Sequence, residues 1–112
     1  MGKVLQIRVT AATWNEDLME EEWPRLTRLA FSLPIKFKDR GVLEMVRALS
    51  EGLEFMNWSD KRKEAMGPGI RECAAIRSEL ERALADWEPR KANELSDRLE
   101  KALDALELAW QD

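Results

Sequence analysis

The chain is 112 residues long, with 45% hydrophobic and 36% charged residues, a balance that suits one folded domain and excludes a disordered chain. Its formal net charge is −4, with acidic and basic residues interspersed, so no global charge attracts nucleic acid or an anionic membrane. Histidine is absent, which removes the usual base of serine and cysteine nucleophiles and a common zinc ligand. We expect a single domain, residues 1–112, without cofactor or metal.

The sequence predicts neither a membrane span nor an exported protein. No apolar run approaches the roughly 20 residues needed to cross a bilayer. The first residues lack the continuous apolar segment of a signal peptide. The single cysteine, Cys73, cannot form an internal disulfide, which fits a reducing compartment. The cytoplasm is therefore the expected location, with no membrane contact.

Alternating residues predict a short strand near the start of the chain. Across residues 3–10, Leu5, Ile7 and Val9 would face one side and polar residues the other. Thr13 stands three residues before Glu16, the spacing of a capping box, which predicts a helical turn there. A second helix is expected to begin at Pro24, because proline suits the first turn, and to reach about Ser32.

The stretch "LPIKFKDRG", residues 33–41, predicts a second strand, since Leu33, Ile35 and Phe37 alternate with proline and lysines. With a helix between the two strands, a parallel right-handed crossover is the expected pairing. Two strands form a marginal sheet with open edges, which a second subunit could cover.

Helical spacing predicts the rest of the chain. A helix should follow a cap at Asp39, and Ser59 or Asp60 should cap a segment that stops at "GPG", residues 67–69. Beyond it, an antiparallel helical hairpin turns at Pro89. Its first helix carries the apolar stripe Ile70, Cys73, Arg77, Leu80, Leu84 and Trp87, and its second carries Ala92, Leu95, Leu99, Ala102, Leu106 and Ala109.

The predicted fold class is therefore α+β and predominantly helical. Its order is strand, helix, strand, helix, a broken helix and a long antiparallel helical hairpin. An all-α bundle with an extended N-terminal arm is the alternative.

Residues that could carry chemistry favour structural roles. Glu20, Glu21 and Glu22 are adjacent on a helix and cannot converge on one ion. Cys73 has no histidine to activate it, and "GPG" lacks the Gly-Lys-Ser/Thr of a phosphate loop. The five tryptophans are expected to be core or dimer anchors.

A basic strip is the best candidate for a nucleic-acid contact. Lys36, Lys38 and Arg40 could hold phosphates while bases stack on Phe37. In a strand, however, Phe37 points away from the lysines, and clustered positive charge is lacking, which argues against nucleic-acid binding.

The predicted function is a small non-catalytic protein–protein interaction module that forms a homodimer, because strand edges are open and catalytic groups are missing. A small-ligand or enzymatic site built from carboxylates and arginines is the first alternative, and nucleic-acid binding through the basic strip is the second. The candidate interaction surface consists of Leu5, Ile7, Val9, Lys36, Phe37, Lys38 and Arg40.

Overall fold

The computed structural model describes residues 5–7, 11–13, 16–32 and 41–109. Within these segments the chain forms a small β-ladder and a group of helices packed on one core. The elements are β1 (Leu5–Ile7), β2 (Ala11–Thr13), α1 (Glu16–Glu22), α2 (Pro24–Phe31), α3 (Val42–Phe55), α4 (Asp60–Ala85) and α5 (Pro89–Ala109). None of the described helices is both long enough and apolar enough to cross a membrane.

The α+β prediction is wrong, because the described residues form a helical fold without a sheet layer. The first predicted strand pairs antiparallel with the residues that follow it, Leu5 opposite Thr13 and Ile7 opposite Ala11, and not in a parallel crossover. A local ladder needs a shorter chain closure than a crossover, so its entropic cost is lower. Three residues per strand form no sheet layer, and the core is helix against helix. The second predicted strand lies outside the described residues.

Helices α1 and α2 meet at Trp23, and the predicted start at Pro24 is confirmed. The Trp23 N–H donates to the Met19 carbonyl at 2.9 Å, and the Thr27 N–H donates to the Trp23 carbonyl at 2.9 Å. Pro24 interrupts this pattern little, because amides in the first turn of a helix have no partner within it.

The start of α4 also follows the prediction. Ser59 is its N-cap, and its Oγ accepts a hydrogen bond from the Arg62 N–H at 3.2 Å. The Arg62 guanidinium lies over the ring of buried Trp58, 5.7 Å from its centroid. Helix α3 begins after Gly41 without a side-chain cap, and the predicted cap Asp39 lies outside the described residues.

Helix α4 runs without a break through Gly67, Pro68 and Gly69, so the predicted stop at "GPG" is wrong. Pro68 is exposed, and water can solvate the carbonyl that loses its N–H partner. A Cβ on Gly69 would lie only 2.9 Å from Leu106 Cδ1 of α5. This glycine therefore permits a close approach of the two helices, and their packing outweighs its intrinsic cost of about 1 kcal/mol.

The core runs the length of the α4–α5 pair and extends over α2 and α3. The apolar stripes predicted for the last two helices are buried here, apart from Trp87 and Ala109 at their ends and the partly exposed Arg77, Leu84 and Ala102. The largest fully buried side chains are Trp23, Met19, Leu26, Met45, Leu49, Ile70, Leu80, Leu99, Leu103 and Leu106. Packing of helix against helix thus buries the apolar surface that the α+β prediction assigned in part to a sheet.

A carboxylate of α5 caps the N-terminus of α2. Trp23 at the N-cap offers no side-chain acceptor. Glu107 supplies it: Oε1 accepts from the Leu26 N–H at 3.0 Å, and Oε2 accepts from the Arg25 N–H at 3.2 Å. Beside it, the Trp23 Nε1–H donates to Asp104 Oδ1 at 2.8 Å. These bonds join the N-terminal helices to the far end of the chain, where charge and helix dipole favour contact.

Replacing Glu107 with glutamine should lower the free energy of unfolding by about 1–2 kcal/mol, because one acceptor becomes an amide NH2 facing a backbone N–H and the negative charge is lost. Urea denaturation of Glu107→Gln measures this directly. The matched control Glu54→Gln, at an exposed position on α3, should change stability by less than about 0.5 kcal/mol. Equal effects of the two substitutions would show that Glu107 caps nothing.

Candidate functional site at the tip of the helical hairpin

The turn between α4 and α5 follows the Schellman pattern of helix C-termini. The Trp87 N–H donates to the Leu84 carbonyl at 3.2 Å, and the Glu88 N–H donates to the Ala83 carbonyl at 2.9 Å. Asp86 is the C-cap of α4, and Pro89 begins α5 as predicted. We call residues 86–94, the turn and the first residues of α5, the hairpin tip.

Trp87 occupies the left-handed position of this turn, with φ at 56°. Glycine is the usual residue there, because a Cβ in this conformation costs about 1–2 kcal/mol. The indole is 74% exposed, so little burial offsets that cost. The predicted place of Trp87 on the apolar stripe is wrong, since the helix ends at Ala85 and the turn directs the ring away from the core. Folding alone would favour glycine at this position.

The hairpin tip lies at one end of the molecule. At a rise of 1.5 Å per residue, the 26 residues of α4 extend about 39 Å. The Cα atoms span 40 × 24 × 24 Å, so α4 must follow the long axis. The turn that ends α4 therefore lies at an extremity of the molecule.

A shallow hollow beside Trp87 covers the first two turns of α5. Its volume is about 460 Å³, and it is lined by Glu88, Pro89, Arg90, Lys91 and Glu94. Much of its surface is apolar, because it is formed by the proline ring and the aliphatic stems of the long side chains. We call this feature the tip hollow.

Charges of opposite sign are separated over residues 86–91 of the hairpin tip, and Glu94 follows about one turn later on α5. Asp86 and Glu88 flank Trp87 on the turn, and Arg90 and Lys91 follow on the first turn of α5. All four residues are exposed. The tip therefore places an acidic segment, an exposed aromatic ring and a basic segment within six residues of the chain.

The structure does not place the predicted interaction surface. The backbones of Leu5 and Ile7 lie in β1, paired with β2. The other residues of that surface, Val9, Lys36, Phe37, Lys38 and Arg40, lie outside the described residues. The interaction surface from the sequence and the hairpin tip share no residue.

Two grooves between helices combine carboxylates with basic groups, as the ligand-site alternative expected. One, of about 290 Å³ between α4 and α5, is lined by Glu79, Arg82, Lys91, Glu94, Leu95 and Arg98, and its Glu79 and Arg98 form an ion pair at 3.8 Å. The other, of about 310 Å³, is lined by Glu22, Trp23, Asp97, Glu100, Lys101 and Asp104. Across the described residues, no three metal-ligating side chains converge on one point. Neither groove is lined by a hydroxyl or thiol side chain.

Cys73 lies in the core on the buried face of α4. Burial first, and the negative charge of Glu72 second, raise the pKa of its thiol to about 12. A thiol with this pKa stays protonated near neutral pH, so Cys73 is not a nucleophile in the folded protein.

The exposure of Trp87 could have been predicted from the shortness of the turn before Pro89, which helical periodicity does not take into account. Pro89 was expected to start a helix, which leaves only Asp86 to Glu88 for the turn. In so short a helix–helix turn, one residue near the middle commonly adopts the left-handed conformation and leaves the helical face. Trp87 is the residue in that place.

Comparisons of the chain with protein-family models, with curated proteins and with solved structures gave no match. The functional interpretation therefore depends on the geometry of the hairpin tip.

Replacing Trp87 with glycine should give a more stable monomer than replacing it with alanine, by about 1 kcal/mol, because only alanine keeps a Cβ in the left-handed conformation. Both variants lack the indole, so their difference isolates the backbone. Urea denaturation at low protein concentration measures it. Equal stabilities would contradict the left-handed geometry at residue 87.

The raised pKa of Cys73 should make stability depend on pH in a defined window. Between the ordinary value of 9.0 and about 12, the folded protein keeps a proton that the unfolded chain has lost. The free energy of unfolding should therefore fall as pH rises above 9.0, by up to ~1.4 kcal/mol per pH unit, with no contribution below it. Urea denaturation at about pH 8 and about pH 10.5 should show a steeper loss for the native chain than for Cys73→Ala. Parallel losses would contradict this.

Proposed function

We propose that the protein is a small non-catalytic interaction module of the cytoplasm that self-associates, with Trp87 as its principal anchor. The observation that carries the proposal is a tryptophan that is 74% exposed and has a φ of 56° in a turn that glycine would fit better. Outliers of this kind cluster at functional positions. Tryptophan is also the residue type most enriched among the side chains that dominate binding energy.

The chemistry of the chain supports binding over catalysis. Without histidine, a hydroxyl or thiol nucleophile lacks its usual base. The single thiol is buried and protonated near neutral pH. The grooves between the helices hold carboxylates and basic groups but no hydroxyl or thiol side chain, and these charged groups are sufficiently explained as a solvated helical surface.

The size of the contact indicates a weak dimer. A tryptophan side chain can bury on the order of 150–250 Å², which corresponds to about 4–6 kcal/mol of apolar burial. The loss of translational and rotational freedom on association, about 4–15 kcal/mol, offsets much or all of the burial of two such rings. Two rings also bury far less than the roughly 1,200 Å² of a stable interface, so we expect a weak, transient dimer.

Sedimentation velocity of the untagged protein over a range from low micromolar to high micromolar concentration tests this proposal. We expect the weight-average mass to rise from 13.0 kDa toward twice that value. The variants Phe55→Ser and Leu108→Ser, which remove other exposed apolar side chains, should behave like the native chain, while Trp87→Gly should associate at least ~10-fold more weakly. A native chain that stays monomeric at every concentration would overturn the proposal.

A further inference from the structure

We propose that two copies of the chain join head to head about a twofold axis, each placing its Trp87 indole in the tip hollow of the other. This inference rests on the proposed self-association and specifies the surface and the partner. The hollow, about 460 Å³ in volume, is open and shallow, so an indole can lie across its proline ring and aliphatic stems, and its lining begins at Glu88, the residue after Trp87. The partner that fits this surface is therefore a second copy of the same hairpin tip.

Charge complementarity favours a second copy over an unrelated partner. If Trp87 of one copy enters the hollow on the second copy's α5, its flanking Asp86 and Glu88 approach the Arg90 and Lys91 in the middle of that hollow's lining. The acidic residues of the lining lie at its two ends, Glu88 at the turn and Glu94 one helical turn beyond Arg90. The twofold axis repeats the same four pairings in the opposite direction. Such rim charges add little affinity, but they set orientation and disfavour other arrangements.

The proposed arrangement is also a closed dimer. An isologous contact uses the same patch on both molecules, so each ring and each hollow is occupied once and no site stays open for a third copy. A head-to-tail contact between the tip and some other surface would leave one ring free at the end of every open assembly. The proximity of ring, hollow and opposite charges within one short segment fits the closed dimer.

Charge reversal on each half of the tip tests this geometry. One variant, Asp86→Lys/Glu88→Lys, has only basic charges over residues 86–91, and the other, Arg90→Glu/Lys91→Glu, has only acidic charges there. Each alone should dimerise ~10-fold or more weakly than the native chain, because like charges face each other across the axis. An equimolar mixture should recover the native dissociation constant as a heterodimer, because every pairing is again between opposite charges.

Matched controls separate the tip from net charge. Glu64→Lys/Glu72→Lys and Lys61→Glu/Arg71→Glu change the charge by the same amounts on α4, away from the turn. Each should dimerise alone like the native chain, and mixing them should add nothing. Trp87→Gly, which the turn geometry accommodates, should raise the dissociation constant by at least ~10-fold while it keeps the helical circular dichroism of the native chain.

Sedimentation velocity of each variant and of the mixtures gives separable outcomes. Recovery of the dimer only in the tip mixture supports the head-to-head arrangement. Tip variants that dimerise alone as the native chain does, or a tip mixture that stays monomeric, would overturn this arrangement while the self-association of the native chain stood. A native chain that never dimerises would remove both the proposed function and this inference.

Discussion

The contact that the last turns of α5 make with α4 and α2 determines how the rest of the molecule is arranged. Leu106 approaches α4 where Gly69 has no side chain, and the next residue, Glu107, accepts hydrogen bonds from the first amides of α2. Adjacent residues of α5 thus hold the middle of the chain and its N-terminal helices. The first contact needs a residue without a side chain on α4, and the second needs a carboxylate at the N-terminus of α2. Both therefore specify which residues of the helices lie opposite each other, in addition to burying apolar surface.

The contacts at one end of the α4–α5 hairpin place its turn, with Trp87, at the opposite end of the molecule. Because α4 and α5 pack along the long axis of the molecule, their turn lies at one extremity, and its residues are not part of the buried core. The Schellman bonds then fix the backbone of the turn, so that Trp87 extends from a rigid site. Because the backbone of the turn is fixed, binding has to order only the side-chain torsions of Trp87, which favours its use as an anchor.

Much of the helical architecture could be predicted from the sequence, because the spacing of apolar residues and the residues that start or cap helices are local properties. The sequence predicted the cap at Ser59, the helix starts at Pro24 and Pro89, and the apolar stripe of α5. The errors arose where tertiary packing outweighs local preference. "GPG" resembles a turn until Leu106 occupies the space beside Gly69, and alternation in residues 3–10 predicts a strand but not its partner. At the candidate site, helical period placed Trp87 in the core, and only the backbone geometry of the turn removes it.

The central claim is that a second copy of the chain covers the indole of Trp87. The most direct measurement is the line broadening of its indole N–H resonance by a soluble paramagnetic relaxation agent, followed in a dilution series of the untagged protein. We predict strong broadening at low micromolar concentration, where the ring is exposed, and progressive protection as the concentration rises. Equal broadening at all concentrations would show that the ring stays in water and would contradict the account.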